Sequence, residues 1–322
     1  MKLFVLGGTQ FLGRAVVESA LERGHEVTLF NRGRTNPDLF PEAEKLRGDR
    51  ALDPIPDGDW TAVIDTSGYV PAVVRRSAEA LQNSVERYLF VSSVSVYAGF
   101  SEGPTEDSER ARLAKGQPDD ELLSSYENYG GLKALCEDVV TDVYGERAII
   151  VRPGLIVGPH DPTGRFTYWP HRIACGGEFI VPGRPEEQVQ FVDARDLGAW
   201  MVGLCERHET GTFNATHPGL RWAELVESCV RVTGSDGQPV WIDGDWLAEQ
   251  GVGQWMDLPL WLHNPESVGM MHADVSRALA AELTFRPLDD TIQGTLELAE
   301  TTDDAGLKPE RERELIETWR RS

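Results

Sequence analysis

The run Lys2-Leu3-Phe4-Val5-Leu6 passes directly into Gly7-Gly8-Thr9-Gln10-Phe11-Leu12-Gly13, and a helical pattern follows over 11–23. An apolar strand, a glycine cluster and a helix in that order read as the first unit of a parallel sheet. The glycines have separate uses: one turns the chain tightly, one admits backbone amides to a pyrophosphate, and one lets the helix pack close to the strand. The helix start then offers unpaired N–H groups and a partial positive charge to the phosphates. A glycine pattern alone is a weak signal. Placed between the first strand and the first helix, it is a strong one.

Working outward, the pattern predicts strands at Glu26–Phe30, Ala62–Asp65, Arg87–Ser92, Ala148–Val151, Val189–Val192 and Thr212–Ala215. Helical spacing falls at Pro71–Asn83, Tyr126–Tyr144 and Leu197–Arg207. Near-continuous apolar strands alternating with helices predict an α/β fold, a doubly wound parallel sheet of Rossmann type with a smaller C-terminal substrate-binding lobe. Residues 1–158 form the dinucleotide-binding domain, with 189–215 returning to it. Residues 159–188 and 216–290 form the lobe, and 291–322 a helical tail. The acidic run Glu102–Glu121 reads as a solvated flap, and Pro159–Pro185 as Pro- and Gly-rich loops. Helical pieces are expected at Trp222–Val232 and Trp246–Glu249. Trp241, Trp246, Trp255 and Trp261 read as lobe core or subunit contact, and the charged helix near Glu310–Arg321 as a surface element.

The 322 residues carry 31 Lys plus Arg against 53 Asp plus Glu, a formal net charge of −22. Such a surface repels phosphate backbones and disfavours nucleic acid as a partner. No apolar run is long enough to span a membrane. A strand beginning at Lys2 leaves no room for a signal peptide. The four cysteines, Cys136, Cys175, Cys205 and Cys229, lack metal-ligand spacing and read as buried thiols in a reducing compartment. The expected location is the cytoplasm, with no metal.

The end of the second strand selects the cofactor. An acid there would accept hydrogen bonds from ribose hydroxyls and repel a 2′-phosphate. The chain instead reads Phe30-Asn31-Arg32-Gly33-Arg34. Asn31 is neutral, and Arg32 and Arg34 present fork-shaped donors suited to a phosphate. NADP(H) is therefore expected, with NAD(H) as the alternative. Asp49, in Gly48-Asp49-Arg50, is placed to meet the adenine amino group or to cap a turn.

Tyr129 and Lys133 lie four residues apart on one predicted helix face. A phenol of ordinary pKa about 10 is a poor acid–base near neutrality, and a nearby ammonium favours its ionised form. A serine at the carboxyl edge of the sheet, in Ser92-Ser93-Val94-Ser95-Val96-Tyr97, is placed to hold a substrate oxygen. Together with the glycine loop, these residues make the chain resemble the short-chain dehydrogenase/reductase superfamily in its extended branch, the NAD-dependent epimerase/dehydratase family. The likeness also rests on Tyr129-Gly130-Gly131-Leu132-Lys133 and on Arg152-Pro153-Gly154-Leu155-Ile156-Val157-Gly158-Pro159. It implies a catalytic triad of Ser93, Tyr129 and Lys133. It also implies pyrophosphate contacts at Gly7, Phe11, Leu12 and Gly13, with Thr9, Gln10 and Ser67 beside the cofactor. Arg32 would meet the 2′-phosphate, Asp49 and Arg50 the adenine region, and Pro153 the nicotinamide.

The chain departs from the family pattern in three places. Gln10 replaces the middle glycine, as in the atypical subgroup that includes the chloroplast stem-loop-binding proteins. Val94 and Ser95 stand where sugar-nucleotide dehydratases carry an acidic pair. Val189 stands where sugar-nucleotide enzymes place an arginine on the diphosphate, with Arg184 a nearby substitute. On the substrate side, Phe166, Tyr168 and Trp169 read as an aromatic wall or as lobe packing, with Arg165 or Arg172 meeting an anionic group; His160 is a lone histidine in the same loop. Three functions follow. The first is an NADP(H)-dependent oxidoreductase acting on a carbonyl or secondary alcohol of a small molecule. The second is an epimerase with a tightly held nicotinamide, and the third a non-enzymatic dinucleotide sensor or RNA-binding member. A homodimer is compatible with all three.

Overall fold

The computed structural model describes residues 1–113, 128–299 and 305–322. Seven strands form one parallel sheet: β1 (Lys2–Leu6), β2 (Glu26–Asn31), β3 (Glu44–Arg47), β4 (Trp60–Asp65), β5 (Val85–Val91), β6 (Ala148–Pro153) and β11 (Gly211–Ala215). Their spatial order is β11-β6-β5-β4-β1-β2-β3, so the winding reverses between β1 and β4. Ligands bind at such a reversal, outside the carboxyl ends of the strands.

The sheet is buried on both faces, which explains its strands' nearly unbroken apolar runs. Alternate residues point opposite ways. Leu3, Val5, Leu29, Ile64 and Leu89 pack with α1 (Phe11–Glu22). Phe4, Leu6, Phe30, Val63 and Phe90 face the side of α2 (Pro71–Leu81) and α3 (Tyr129–Tyr144). The predicted start of α3 at Tyr126 lies outside the described residues, as do residues 114–121 of the acidic run.

The lobe has its own core. It is built from β7 (Leu155–Val157), α4 (Tyr168–Ala174), β8 (Glu178–Pro182), β9 (Gln188–Val189), β12 (Leu220–Arg221), α6 (Trp222–Thr233), β13 (Gln238–Ile242) and α7 (Gly244–Glu249). Between these, β10 (Phe191–Asp193) pairs with β7, and α5 (Ala194–Glu206) returns to cover the sheet beside α1. Two further helices, α8 (Ser276–Ala280) and α9 (Leu288–Leu298), lead to α10 (Pro309–Trp319).

Several expectations are corrected here. The expected strand Val189–Val192 is two short ones, broken at Gln190, whose amide exchanges hydrogen bonds with the Ala273 backbone at 2.9 and 3.2 Å. The stretch 159–185, read as loops, contains α4 and β8. The described part of the acidic run is not wholly solvated: Glu106 is buried and accepts the Asn214 N–H at 2.8 Å. Helix α10 is not a surface element alone, because Glu312, Leu315 and Ile316 are buried in the lobe. Cys136, Cys205 and Cys229 are buried as expected, whereas Cys175 is exposed. Among the described residues, no helix is long and apolar enough to cross a membrane, and no cluster of His, Cys, Asp or Glu could hold a metal ion.

Candidate active site

A cavity of about 740 Å³ opens along the carboxyl edge of the sheet, at the reversal between β1 and β4. Its floor is the glycine loop. Gly7 and Gly8 have φ of +108° and +93°, conformations open to glycine but costly for residues with a Cβ. Gly13 sits where an added Cβ would lie 2.9 Å from the Gly8 nitrogen, so helix and loop meet backbone to backbone. Gln10 is extended, with φ −138°, which is why a residue with a side chain is accepted there; the positive φ of 41° falls on Phe11 instead. Helix α1 begins without a side-chain cap and without an acid in its first turn. Its free N–H groups border the cavity and favour an anion.

Two asparagines hold this loop. Asn31 donates to the Gly7 carbonyl at 2.8 Å and accepts from the Gly33 N–H at 2.8 Å, so both ends of its amide are committed to backbone. Asn36 donates to the Thr9 carbonyl at 3.0 Å. Asn31 therefore ties the end of β2 to the glycine loop. Arg32 and Arg34 extend from the same turn, are exposed, line the cavity, and make no hydrogen bond or ion pair with another described residue.

The next wall is a buried ion pair. Arg50 grips Asp65 through two nitrogens at 2.6 and 2.8 Å, and Tyr88 donates to the same carboxylate at 2.8 Å. Burial alone would raise the Asp65 carboxyl, but the Arg50 guanidinium and the hydrogen bonds around it outweigh burial and hold it below its usual value. Ser67 donates its N–H to Asp65 at 3.0 Å, and its hydroxyl reaches the Leu6 carbonyl at 3.2 Å. Asp49 accepts from the Ala51 N–H at 3.0 Å, capping its own turn.

Helix α3 supplies Tyr129 and Lys133, one turn apart and both on the cavity wall. Lys133 is buried and donates to the Gly68 and Val91 carbonyls at 2.7 and 2.6 Å, with its ammonium 4.3 Å from the centre of the Phe90 ring. Burial pulls this lysine down from 10.5 to about 8. Ser93 lines the same cavity, its hydroxyl accepting the Ser95 N–H at 3.1 Å in the turn Val94–Val96. The close seating of α3 on that turn depends on Gly130, where a Cβ would lie 2.0 Å from the Ser95 carbonyl oxygen.

Gly7, Thr9, Gln10, Phe11, Leu12, Gly13, Asn31, Arg32, Arg34, Asp49, Arg50, Ser67, Ser93, Tyr129, Lys133, Pro153 and Arg165 thus all line one cavity. Tyr168 and Trp169 do not. Trp169 is fully buried, donates to the Pro259 carbonyl at 2.8 Å and packs edge-on against Trp222; Tyr168 packs edge-on against Trp169. Phe166 is likewise buried against Phe191. The aromatic run is lobe core: Trp169 packs on α6 through Trp222, and Phe166 on β10 through Phe191. Arg172 is engaged by Glu312 at 2.7 Å, and His160 is not on the cavity wall. Val189 is fully buried in the lobe, and Arg184 is an exposed residue paired with Glu187 at 3.0 Å, also away from the wall. The expectations missed Tyr69 and Met270 and gave Trp255 to lobe packing or a subunit contact; Tyr69 and Trp255 line the cavity from irregular segments and Met270 from the short 3-10 turn Val268–His272, where no periodicity marks them.

Comparison with known proteins agrees with this architecture. Residues 72–215 match the model of the NAD dependent epimerase/dehydratase family. The chain is 23% identical over 256 residues to the chloroplast stem-loop binding protein of 41 kDa b from Arabidopsis thaliana, an alignment covering 72% of this chain and 63% of that protein. It is 24% identical over 236 residues to a putative dihydroflavonol 4-reductase of Synechocystis sp., covering 64% of each. The chain therefore spans somewhat less than two thirds of the length of either relative. Among solved structures it resembles the UDP-glucuronic acid 4-epimerase from Bacillus cereus in complex with NAD, with TM-score 0.64, 15% identity, and coverage of 91% of this chain and 97% of that one. Over residues 72–215 the chain thus resembles the NAD dependent epimerase/dehydratase family, and its fold is the Rossmann-like fold of the solved epimerase structures.

Proposed function

We propose that the protein is an NADP(H)-dependent oxidoreductase that interconverts a carbonyl and a secondary alcohol on a small molecule. The observation that carries this reading is the shared wall: Tyr129, Lys133 and Ser93 border the same cavity as the glycine loop, Arg32 and Arg34. The residues fit a dinucleotide. The uncapped start of α1 receives the pyrophosphate, and the two arginines after β2 receive a 2′-phosphate. When bound, the nicotinamide supplies or accepts the hydride. In the reducing direction, Tyr129 donates its phenolic proton to the carbonyl oxygen, Ser93 steadies that oxygen with its hydroxyl, and Lys133 favours the phenolate left behind. Arg50 and Asp65 fix the wall between β3 and α2 and transfer nothing.

A second reading, an epimerase holding its nicotinamide through a cycle of oxidation and reduction, draws on the likeness to NAD-bound UDP-sugar epimerases. The lobe argues against sugar nucleotides as its substrates: Val189 is buried and uncharged, and Arg184 faces away from the cavity. An unpaired diphosphate desolvated there would be costly.

Affinity measurements separate the readings. The wild type should bind NADPH more tightly than NADH, and Arg32→Ala should erase most of the difference. A hydrogen bond to a charged group contributes about 1.5–3 kcal/mol, so the loss should be roughly tenfold or more. Equal affinities in the wild type would sink the NADP(H) assignment. Release of stoichiometric NAD+ on denaturing freshly purified protein would favour the epimerase.

A further inference from the structure

We propose that Arg47, at the end of β3, is a specificity-determining residue for the nucleotide: it positions the turn that carries Arg32 and Arg34 and adds a third positive charge to the site for a 2′-phosphate. The proposal rests on the reading above and adds to it a residue from a different strand, one that is not on the cavity wall. Parallel pairing of β2 with β3 sets Arg47 beside Asn31, the residue from which the turn departs. The Arg47 guanidinium lies against Gly33. A Cβ built on that glycine would fall 1.6 Å from one guanidinium nitrogen and 2.5 Å from the guanidinium carbon. Gly33 also holds φ +67°, so the position excludes a side chain on both counts. Because Gly33 separates Arg32 from Arg34 in the chain, Arg47 sits at the midpoint of the two-arginine turn.

The turn is tied down along its length by the protein's own bonds. Asn31 accepts the Gly33 N–H at 2.8 Å near the start, and Asn36 donates to the Thr9 carbonyl at 3.0 Å further on. Arg47 donates to the Pro37 carbonyl at 3.3 Å at the far end. It therefore meets the turn twice, once in the middle and once where it closes. Lys45, two residues earlier and on the same face of β3, donates to the same carbonyl at 3.2 Å. A turn held in this way loses little further freedom when a ligand binds, which leaves more of the interaction to appear as affinity.

Charge points to the ligand. Arg32, Arg34 and Arg47 are exposed and make no ion pair with another described residue, although the chain carries a net charge of −22. Exposure is not the reason. Along and just after α10, the exposed Arg311, Arg313, Arg320 and Arg321 each have a carboxylate partner. A local excess of one sign concentrates ions of the other, and here the excess runs against the charge of the whole chain. A phosphate monoester carries about −1.5 to −2 charge near neutral pH, more than a single guanidinium balances. The end of the second strand is where the adenosine ribose of a dinucleotide lies, so the anion that fits the cluster is a phosphate on that ribose.

The test is calorimetric titration of the full chain with NADP+ and with NAD+. The wild type should prefer NADP+. Arg47→Met should weaken NADP+ binding about fivefold, the size of one exposed charge interaction, and leave NAD+ binding within about twofold. Arg47→Lys keeps the charge and loses the fork, and should recover part of the loss. Lys45→Met removes a charge farther from the strand end and should shift NADP+ binding less than Arg47→Met. A wild-type preference that survives unchanged in Arg47→Met overturns this proposal and leaves the NADP(H) reading standing, whereas equal wild-type affinities overturn both. Parallel losses of NADP+ and NAD+ in Arg47→Met would reduce the residue to a structural brace. An equal loss in Lys45→Met would replace the site with a diffuse field, and either result also overturns the proposal.

Discussion

Tyr129 and Lys133 carry the proposed chemistry, and single atoms test it. Tyr129→Phe keeps the ring and removes the hydroxyl. NADPH affinity should survive, while turnover on an identified substrate should fall about 10²–10⁴-fold, the usual contribution of general acid catalysis. Full activity in that variant would refute the mechanism. Lys133 adds a pH signature. Its ammonium is buried, with an ordinary value of 10.5 drawn down to about 8. Between those two pH values the unfolded chain binds a proton that the folded chain has released, so stability should rise with pH across that window. Below about 8 both states are protonated and the rise stops. Urea midpoints recorded from pH 7 to 10.5 should show the rise in wild type and not in Lys133→Met; parallel curves would show that the lysine is not buried as drawn. Both residues were legible in the sequence, because four residues make one helical turn. The commitment of Asn31 to the Gly7 carbonyl and Gly33 amide was not. An asparagine at a strand end reads equally as ligand or clamp until the loop it faces is known.

Between elements, the decisive contact is α3 on the turn Val94–Val96. Gly130 lets the helix approach the Ser95 carbonyl, and that approach brings Tyr129 toward the strand end that carries Ser93. A methyl group at this position has no space, so Gly130→Ala must tilt or shift the first turn of α3. A displacement near 1 Å can cost about 10²-fold in turnover. Gly130→Ala should therefore lose activity on that order while keeping a Rossmann core and most of its dinucleotide affinity. Steady-state kinetics beside NADPH titration would check this, and unchanged turnover would show that the helix does not set the geometry. The seven sheet strands were mostly readable because burial on both faces forces continuous apolar runs. β3 was legible only as a strand region ending at Gly48-Asp49-Arg50, without a start, since Glu44–Arg47 at the sheet edge is mostly charged. In the lobe the helices Trp222–Thr233 and Gly244–Glu249 were legible, but its strands escaped: they have two to five residues, too few to show a period, and β8 finds its partner β13 more than fifty residues later.

The described residues form separate cores, two flanking the sheet, one in the lobe and a small one around Val94, Val96 and Tyr97, and the lobe core depends on the C-terminal helix. The charges along α10 make it read as solvated, yet periodicity turns Glu312, Leu315 and Ile316 inward. Glu312 is 2% exposed, receives Arg172 Nε at 2.7 Å and the Ile180 N–H at 3.0 Å, and so joins α10 to α4 and β8. Removing one partner of a buried pair leaves the other charge desolvated, at a cost of about 3–5 kcal/mol, whereas an exposed pair contributes about 0–1 kcal/mol. Glu312→Ala should lower the urea midpoint far more than Glu310→Ala on the exposed face of the same helix. The damage should also be regional. The sheet and its glycine loop have their own packing, so dinucleotide binding should outlast the lobe, and hydrogen exchange should rise first in α4, β8 and α10. Equal midpoints for the two variants would mean that α10 only rests on the lobe. An even rise in exchange across the sheet would mean instead that lobe and sheet unfold as one unit, and that the cavity between them depends on the lobe for its shape.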